Sequence, residues 1–341
     1  MSLFKTHMSD KIKMTQTFIA TLSPMLVMFL CIIIGFVLKK KNMLPDNADK
    51  TMSKIENYVC VPALAFSTFA VNCTVDSISK YYNIILYSAV AVVLAIVIAV
   101  PLSKVFVKDD AYRRNIYKYA LTFANFGFMG NAIVPAILNG TPLAQNAGVQ
   151  DMLYIYLLFT IPLYSVCYTW GIYILIPKGE NKGSLLKNLA NPIFIAIFAG
   201  AIVGLCGVGD KIPAFIMDTV NSCKACMAPL AMILTGFVIG SYDFKTLLND
   251  KKVYVATFLR LFIIPVVILG VLMALGADEL VLTFALFGYA TPLGLNTVVF
   301  PAAYGSDAKT GASMAMISHT LSVVTIPLMY ALLKVVLQLA A

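Results

Sequence analysis

The sequence has little charge and almost no histidine, and several catalytic motifs are missing. Asp, Glu, Lys and Arg together make up 12 % of the 341 residues, and the chain contains two histidines. A histidine-rich metal site is therefore excluded, and neither HExxH, GxSxG nor a P-loop of the GxxxxGK[ST] type occurs. These absences argue against a metalloprotease, a serine hydrolase and an ATP-driven pump. We expect no enzyme activity and no cofactor.

Cysteine use also gives no functional signal. The seven cysteines are an odd number, and Cys223-Lys-Ala-Cys226 is a CxxC pair without a second pair or a neighbouring histidine. A disulfide framework or a zinc site needs a different spacing. We interpret the cysteines as small packing residues.

Long uncharged runs are what the chain has in abundance. Hydrophobic residues make up 60 % of the sequence, and the mean hydropathy is +0.87. Successive runs of bilayer length indicate a multi-span membrane protein, and the first run is long enough to be a retained span rather than a cleaved signal. We predict ten transmembrane helices, at 14–38, 57–75, 81–103, 119–150, 152–177, 189–209, 225–242, 253–277, 280–306 and 310–333.

Positive charge is distributed so as to orient these spans. The net charge is +9, but seventeen Lys and Arg residues lie in the links after the odd-numbered spans and seven lie on the opposite side. The positive-inside rule then puts both termini outside the cell and the odd-numbered links in the cytoplasm. We therefore expect the protein to lie in the lipid bilayer of the cell membrane, and we do not expect it to bind nucleic acid.

Two halves of the chain resemble each other. Thr160-Ile-Pro-Leu recurs at Thr325, and Asn131 recurs at Asn296, both after 165 residues. Because each half holds five spans, the second copy enters the membrane from the opposite side, which predicts an inverted-topology repeat. The predicted organisation is an N-terminal extracellular segment at 1–17, repeats at 18–176 and 189–338, and a cytoplasmic linker at 177–188.

Spans four and nine carry residues that break helices. The stretches Asn125 to Gly140 and Thr291 to Gly305 contain glycine, proline and asparagine within otherwise apolar runs. A break inside a bilayer is tolerated only where it faces protein or a water-filled cavity. In secondary transporters such breaks hold the substrate, so we predict that the two broken helices cross at a binding site.

Five segments in chain order carry a resemblance to a known family: Ile55 to Phe66, Asn125 to Gly130, Arg260 with Pro265, Asn296 to Phe300, and Tyr304-Gly305. As a set they resemble the auxin efflux carrier family, which includes bacterial malate-permease-like proteins. The resemblance implies an all-α fold shared with bile-acid symporters and sodium/proton antiporters. It further implies a scaffold of spans one, two, six and seven, a moving transport domain of the other spans, and a homodimer formed through the scaffold helices. Many family members have proline at the positions of Ala132 and Thr297.

The candidate substrate site lies at the predicted crossing. Asn131 and Asn296 offer neutral amide donors near the N-terminal ends of half-helices, which suit a carboxylate. Asn125, Gly130 and Thr297 are the neighbouring candidates. The alternative is that the asparagines cap the broken helices or bond to each other.

Few ionisable groups occur in the spans, and each has two interpretations. Asp76 and Lys80 resemble an acidic and a basic residue that lie beside the crossover in plant members of the family. The alternative is that Asp76 caps a helix and pairs with Lys80 at the protein surface. Arg260 attracts anions or snorkels to the interface, and His319 carries a coupling proton or is a structural hydrogen-bond partner. Glu56 is a further candidate for a proton site, and the alternative is that its carboxylate pairs with Lys54. Coupling to Na⁺ or H⁺ stays open.

These expectations together predict a secondary carrier. It would move a small organic anion, such as malate, another carboxylate or an auxin-like acid, by alternating access. An anion-conducting channel is the alternative, because the same broken helices permit a pore.

Overall fold

The computed structural model describes residues 22–139, 141–147, 151–177, 191–242, 250–303, 306 and 309–340. The described residues form helices and their connections, with one isolated antiparallel β-bridge between Ala124 and Leu293. The all-helical class is thus confirmed. The predicted segment 1–17 and nearly all of the predicted link 177–188 lie outside the described residues.

The helices, in chain order, are numbered α1 to α13. Their bounds are α1 Leu22–Lys40, α2 48–72, α3 Val75–Phe106, α4 Ala111–Thr122, α5 Phe126–Leu138, α6 Pro142–Ala147, α7 Met152–Leu175, α8 Pro192–Leu205, α9 Ala214–Gly240, α10 Lys251–Ala274, α11 Glu279–Tyr289, α12 Asn296–Ala303 and α13 Lys309–Ala340.

Six of these helices are long and apolar enough to cross a bilayer. They are α1, α3, α7, α9, α10 and α13, while α5, α8 and α11 are shorter apolar helices. The sequence predicted ten spans. The four others differ for three reasons. Predicted spans four and nine are divided into shorter helices, and predicted span six corresponds to α8, which has 14 residues. α2, at predicted span two, begins with polar and charged residues that lower its hydropathy.

Polar side chains mark where several helices begin. Thr74 accepts a hydrogen bond from the backbone of Ser77 in a capping box at the start of α3. Asp110 caps α4 and Asp278 caps α11 in the same way, at 2.9 and 2.8 Å from the capped N–H groups. Such side chains satisfy N–H groups that have no partner within the helix. At the first connection, a hydrogen bond from Lys39 holds the pKa of Asp46 below its usual value.

Glycines bring four helices into close contact. A Cβ atom on Gly236 of α9 would lie 1.8 Å from the carbonyl oxygen of Ile32 in α1, and one on Gly35 would lie 1.9 Å from that of Ile233. In the same way, a Cβ on Gly204 of α8 would lie 2.5 Å from a carbonyl oxygen near the end of α2. Small residues let membrane helices approach to backbone contact, and α1, α2, α8 and α9 form such a packed group.

Two breaks in the helices meet each other. α4 ends at Thr122 and α5 begins at Phe126, and α11 ends at Tyr289 while α12 begins at Asn296. The backbone N–H of Asn125 donates to the carbonyl of Pro292 at 2.7 Å. The two non-helical links therefore satisfy part of each other's backbone inside the protein, as a break in a membrane requires.

The first break lies at the N-terminal edge of the stretch that the sequence indicated. Residues 126–130 form a π-helical turn and the helix continues past Pro135 to Leu138. Similar π turns occupy 56–60 of α2, 167–171 of α7 and 259–263 of α10. π turns are frequent at functional sites, and these four contain Glu56, Gly130, Cys167 and Arg260.

Candidate functional site

A small cavity lies where the two breaks meet. Its volume is about 40 Å³, which is room for a few water molecules but not for an organic acid, since a buried water needs about 10–15 Å³ on this measure. The cavity therefore belongs to a closed conformation. Its lining residues are Asn57, Val61, Tyr119, Ala124, Asn125, Phe126, Gly127, Phe128, Tyr164, Cys167, Tyr168, Gly294, Leu295 and Asn296.

The N-terminal ends of both half-helices border this cavity. Asn125 to Phe128 at the start of α5 and Gly294 to Asn296 at the start of α12 both form part of its wall. The first N–H groups of a helix lack partners within the helix, and together they carry a partial positive charge. Two weakly positive surfaces thus face one space.

Asn296 is held in the cavity wall by two side chains from other helices. Its amide nitrogen donates to the hydroxyl oxygen of Tyr119 on α4 at 2.8 Å and lies 3.8 Å from the sulfur of Cys167 on α7. Tyr119 and Cys167 are themselves 3.0 Å apart. These contacts fix the amide at the first residue of α12.

Asn125 is held from the opposite side by α13. Its amide nitrogen lies 3.3 Å from Nε2 of His319, whose Nδ1 is 2.7 Å from the carbonyl oxygen of Ala315. A neutral imidazole that donates from Nδ1 and accepts at Nε2 satisfies both contacts. Ser318, the preceding residue, accepts from the backbone N–H of Leu293 at 3.1 Å. α13 thus forms hydrogen bonds with residues of both breaks.

Asn131, Gly130 and Thr297 lie behind the wall rather than on it. The Asn131 amide donates to the hydroxyl of Tyr164 at 3.3 Å, and its buried Oδ1 has no partner within the described residues. Thr297 donates from its hydroxyl to the carbonyl of Gly294 at 2.9 Å. A Cβ on Gly130 would lie 2.0 Å from the hydroxyl of Tyr156. All three residues support groups that line the cavity or flank it.

Arg260 caps the end of a half-helix. Its side chain is buried, and Nη1 donates to the carbonyl of Tyr289, the last residue of α11, at 2.7 Å. A cation is stabilised at the C-terminal end of a helix. Arg260 also borders a second cavity of about 10 Å³ and does not line the first one. It neither reaches the interface nor faces the space between the amides.

Asp76 and Lys80 lie apart from the crossing, at the start of α3. Both residues are exposed. Lys80 donates to the carbonyl of Ala147 at 2.7 Å, and the ion pairs that the structure records among its described residues do not join it to Asp76. Of the two, the Lys80 side chain connects α3 to the last residue of α6.

The sequence reasoning missed several residues of the wall. Tyr119 lies in α4 just before the first break, and Asn57 of α2 and Cys167, Tyr164 and Tyr168 of α7 come from helices that carry no break. The π turn at 167–171 and the i,i+4 spacing of the two tyrosines are the only local signals. Their contact with the asparagines depends on how the helices pack.

The wall can hold a negative charge only through neutral groups. Among the described residues that line the cavity, none is Lys, Arg, His, Asp or Glu. Amide and hydroxyl donors and helix N-termini are suited to a carboxylate without the cost of a buried fixed charge. No group of three or more His, Cys, Asp or Glu side chains in the described part of the chain is arranged to hold a metal ion.

Comparison with known proteins identifies the kind of protein to which this site belongs. The chain is 25 % identical over 209 residues to "Uncharacterized transporter YfdV" of Escherichia coli K12, which covers 59 % of this chain and 62 % of that protein. The match thus spans less than two thirds of that relative. This chain is also 21 % identical over 306 residues to "Uncharacterized transporter MJ1031" of Methanocaldococcus jannaschii, and this match covers 89 % of this chain and 96 % of that protein.

A family profile matches nearly the whole chain. The profile, described as "Membrane transport protein", aligns with residues 20–184 and again with 179–330. Together with the apolar helices, this match confirms the resemblance to the auxin efflux carriers and the prediction that the protein is no enzyme. The chain belongs to the membrane transport protein family, and its long apolar helices are those of a multi-pass membrane protein.

Proposed function

We propose that this transporter is a carrier that binds a small organic anion between the N-terminal ends of α5 and α12. One observation carries the proposal: two helix N-termini and two asparagine amides, Asn125 and Asn296, border a single cavity. Partial positive charge and neutral donors stabilise a carboxylate. Asn131 contributes indirectly, because its amide holds the hydroxyl of Tyr164 in the wall.

The charge of the wall also limits the substrate. A dicarboxylate such as malate brings two negative charges, and the described lining offers no cation to balance them. Aromatic side chains occupy much of the remaining wall, and they contact apolar parts of a ligand. We therefore favour a monocarboxylate, including auxin-like acids, over malate.

Transport requires the closed cavity to open alternately to each side. We propose that the packed group of α1, α2, α8 and α9 is the fixed scaffold and that the other helices move against it. Support comes from the backbone contacts of Gly35 and Gly236, which join α1 to α9, and from those of Gly200 and Gly204, which join α8 to α2. The 165-residue offset between Asn131 and Asn296 supports ten spans in two inverted repeats. The accompanying proposals are a cell-membrane location, external termini and a homodimer through the scaffold.

Thermal unfolding with a panel of ligands tests the proposal. The purified protein is heated with lactate, indole-3-acetate, malate, glutamate or choline, each with and without sodium. A ligand of the folded state at 100 times its Kd stabilises by about 2.7 kcal/mol. We expect stabilisation by a monocarboxylate and none by choline.

Amide variants identify the site. Loss of one hydrogen bond to a charged group costs about 1.5–3 kcal/mol, so Asn125→Ala and Asn296→Ala should weaken binding by about ten- to a hundredfold. Asn72→Ala is the matched control, because this amide bonds only within α2, to the carbonyl of Thr68 at 2.9 Å. Equal stabilisation of Asn296→Ala and the control would contradict the site. Flux that fails to saturate in vesicles would indicate a channel.

A further inference from the structure

Glu56 is a buried acid without a hydrogen-bond partner. It lies in the π turn of α2 and its exposed fraction is 0 %. Neither carboxyl oxygen has a hydrogen-bond partner within the described part of the protein. The sequence offered Lys54 as a partner, but that side chain is exposed and the recorded ion pairs do not include it. Acids placed in this way inside a membrane protein are rare and usually functional.

Among the described residues, the recorded ion pairs join no cation to Glu56. Cys60, one turn further along α2, is close to Glu56 and to Cys223 and Cys226 of α9. Lys224 lies between these two cysteines but pairs with Asp151 at 3.2 Å. The other charged residues of α2 and α9 are Asp49, Lys50, Lys54 and Asp218, and α8, which also packs against the π turn, carries none.

The protonated form is therefore the one that fits this environment. An ionised carboxylate that is removed from water without a partner is penalised by several kcal/mol. A neutral carboxylic acid loses much less on burial. The closed conformation thus favours a proton on Glu56.

Glu56 is also next to the proposed substrate cavity. Asn57, the following residue, and Val61, little more than one turn later, both line that cavity. The same π turn thus carries the acid and part of the cavity wall. When the cavity opens to one side and fills with water, solvent reaches the immediate neighbourhood of the acid and removes the penalty on its ionised form.

We propose that Glu56 is a proton-binding site that couples proton movement to transport, a role that rests on the proposed function. In the closed state the Glu56 carboxyl holds its proton. In the open state the O–H bond breaks, the proton passes to a water molecule in the cavity, and the carboxylate remains until it is protonated again. One proton moving with one monocarboxylate makes each transport event electrically neutral.

The first experiment needs no substrate. Infrared spectra of purified protein in neutral buffer should contain the carbonyl band of a protonated carboxylic acid. Glu56→Gln should remove this band, whereas Glu279→Gln should keep it, because Glu279 is a partly exposed acid paired with Lys334. An unchanged band in Glu56→Gln would overturn the proposal.

A second measurement covers the case in which Glu56→Gln fails to fold. A hydrophobic carbodiimide reacts with protonated carboxyl groups in apolar surroundings, and peptide mass spectrometry locates the adduct in the wild-type protein. We expect modification of the peptide that contains Glu56, with a rate that falls as pH rises. Absence of that adduct at every pH would overturn the proposal.

Vesicle uptake tests the coupling. Labelled lactate and indole-3-acetate are the probes, with and without an inward proton gradient of one pH unit, which supports about tenfold accumulation per proton. The wild type and Glu279→Gln should accumulate a probe, and Glu56→Gln should exchange it but lose the gradient effect. Gradient-driven accumulation by Glu56→Gln would overturn the coupling. If the wild type takes up neither probe, the proposed function fails, while the infrared and carbodiimide results still decide the proton site.

Discussion

Replacement of Gly130 by alanine should distort the wall of the candidate site. A Cβ at this position would lie 2.0 Å from the hydroxyl oxygen of Tyr156 and 2.8 Å from its Cζ. That hydroxyl donates to the carbonyl of Phe126, the first residue of α5, at 3.0 Å. The ring must move by more than an ångström, and this movement breaks the hydrogen bond.

The expected cost follows from three opposing contributions. Overpacking of a filled interior costs about 1–3 kcal/mol, and a buried pair that loses its hydrogen bond costs about 1–3 kcal/mol. Alanine in a helix regains about 1 kcal/mol relative to glycine. Gly130→Ala should thus lower the free energy of unfolding by about 3 kcal/mol, the central value of these ranges.

Thermal unfolding of four variants tests this estimate. Gly270→Ala is the matched control, because a Cβ there meets no atom within 4 Å, and it should be as stable as the wild type or more stable. Tyr156→Phe removes the clashing oxygen, so the double variant with Gly130→Ala should be more stable than the sum of the two single effects. If Gly130→Ala unfolds at the same temperature as Gly270→Ala, the proposed contact between α5 and α7 is wrong.

Two further predictions concern the scaffold and the topology. Gly236→Ala should destabilise the protein by about 2 kcal/mol or more, because overpacking of a filled interior is costly. The new Cβ would lie 1.8 Å from a backbone oxygen of α1 that cannot rotate away. Thermal unfolding of Gly236→Ala beside Gly270→Ala measures the effect, and equal stability of the two variants would contradict the contact between α1 and α9. Single cysteines introduced at 177–188 in a cysteine-free background should react with a membrane-impermeant reagent only from the cytoplasmic side, and labelling of intact cells from outside would overturn the predicted orientation.

The breaks in the helices were predictable because their chemistry is local. Residues 290–295, the link before α12, coincide with the start of the stretch that begins at Thr291. Asparagine at position 296 and glycine at 294 are residues that begin helices and allow close approach. The polar N-caps of α3 and α11 can be read in the same way, since each depends on neighbours in the sequence.

The partners of the site residues were not predictable, because they come from distant parts of the chain. Tyr119 is 177 residues from Asn296, and the carbonyl that Arg260 caps is 29 residues away. A one-residue change in how α4 or α10 packs would replace these partners without altering any local pattern. Where a helix ends within a predicted span was also not predictable from hydropathy, because hydropathy continues across a break while the helix does not.

The π turn in α5 makes the two sides of the crossing unequal. The sequence offset of 165 residues pairs Asn131 with Asn296, yet Asn131 lies behind the wall and Asn125 takes the place at the cavity. The reason is that α5 begins at Phe126, five residues before Asn131, whereas α12 begins at Asn296 itself.

This inequality favours a substrate with two different ends. The amide of Asn296 bonds to the hydroxyl of Tyr119, which can turn toward a ligand, while the amide of Asn125 is tied to an imidazole whose two nitrogens are both engaged. A carboxylate that competes for an amide donor meets less resistance at Asn296, since a hydroxyl and a weak sulfur acceptor are what it must replace there. The carboxylate should therefore bind at the start of α12. The rest of the molecule should extend toward Phe126 and Tyr164 on the other side of the cavity.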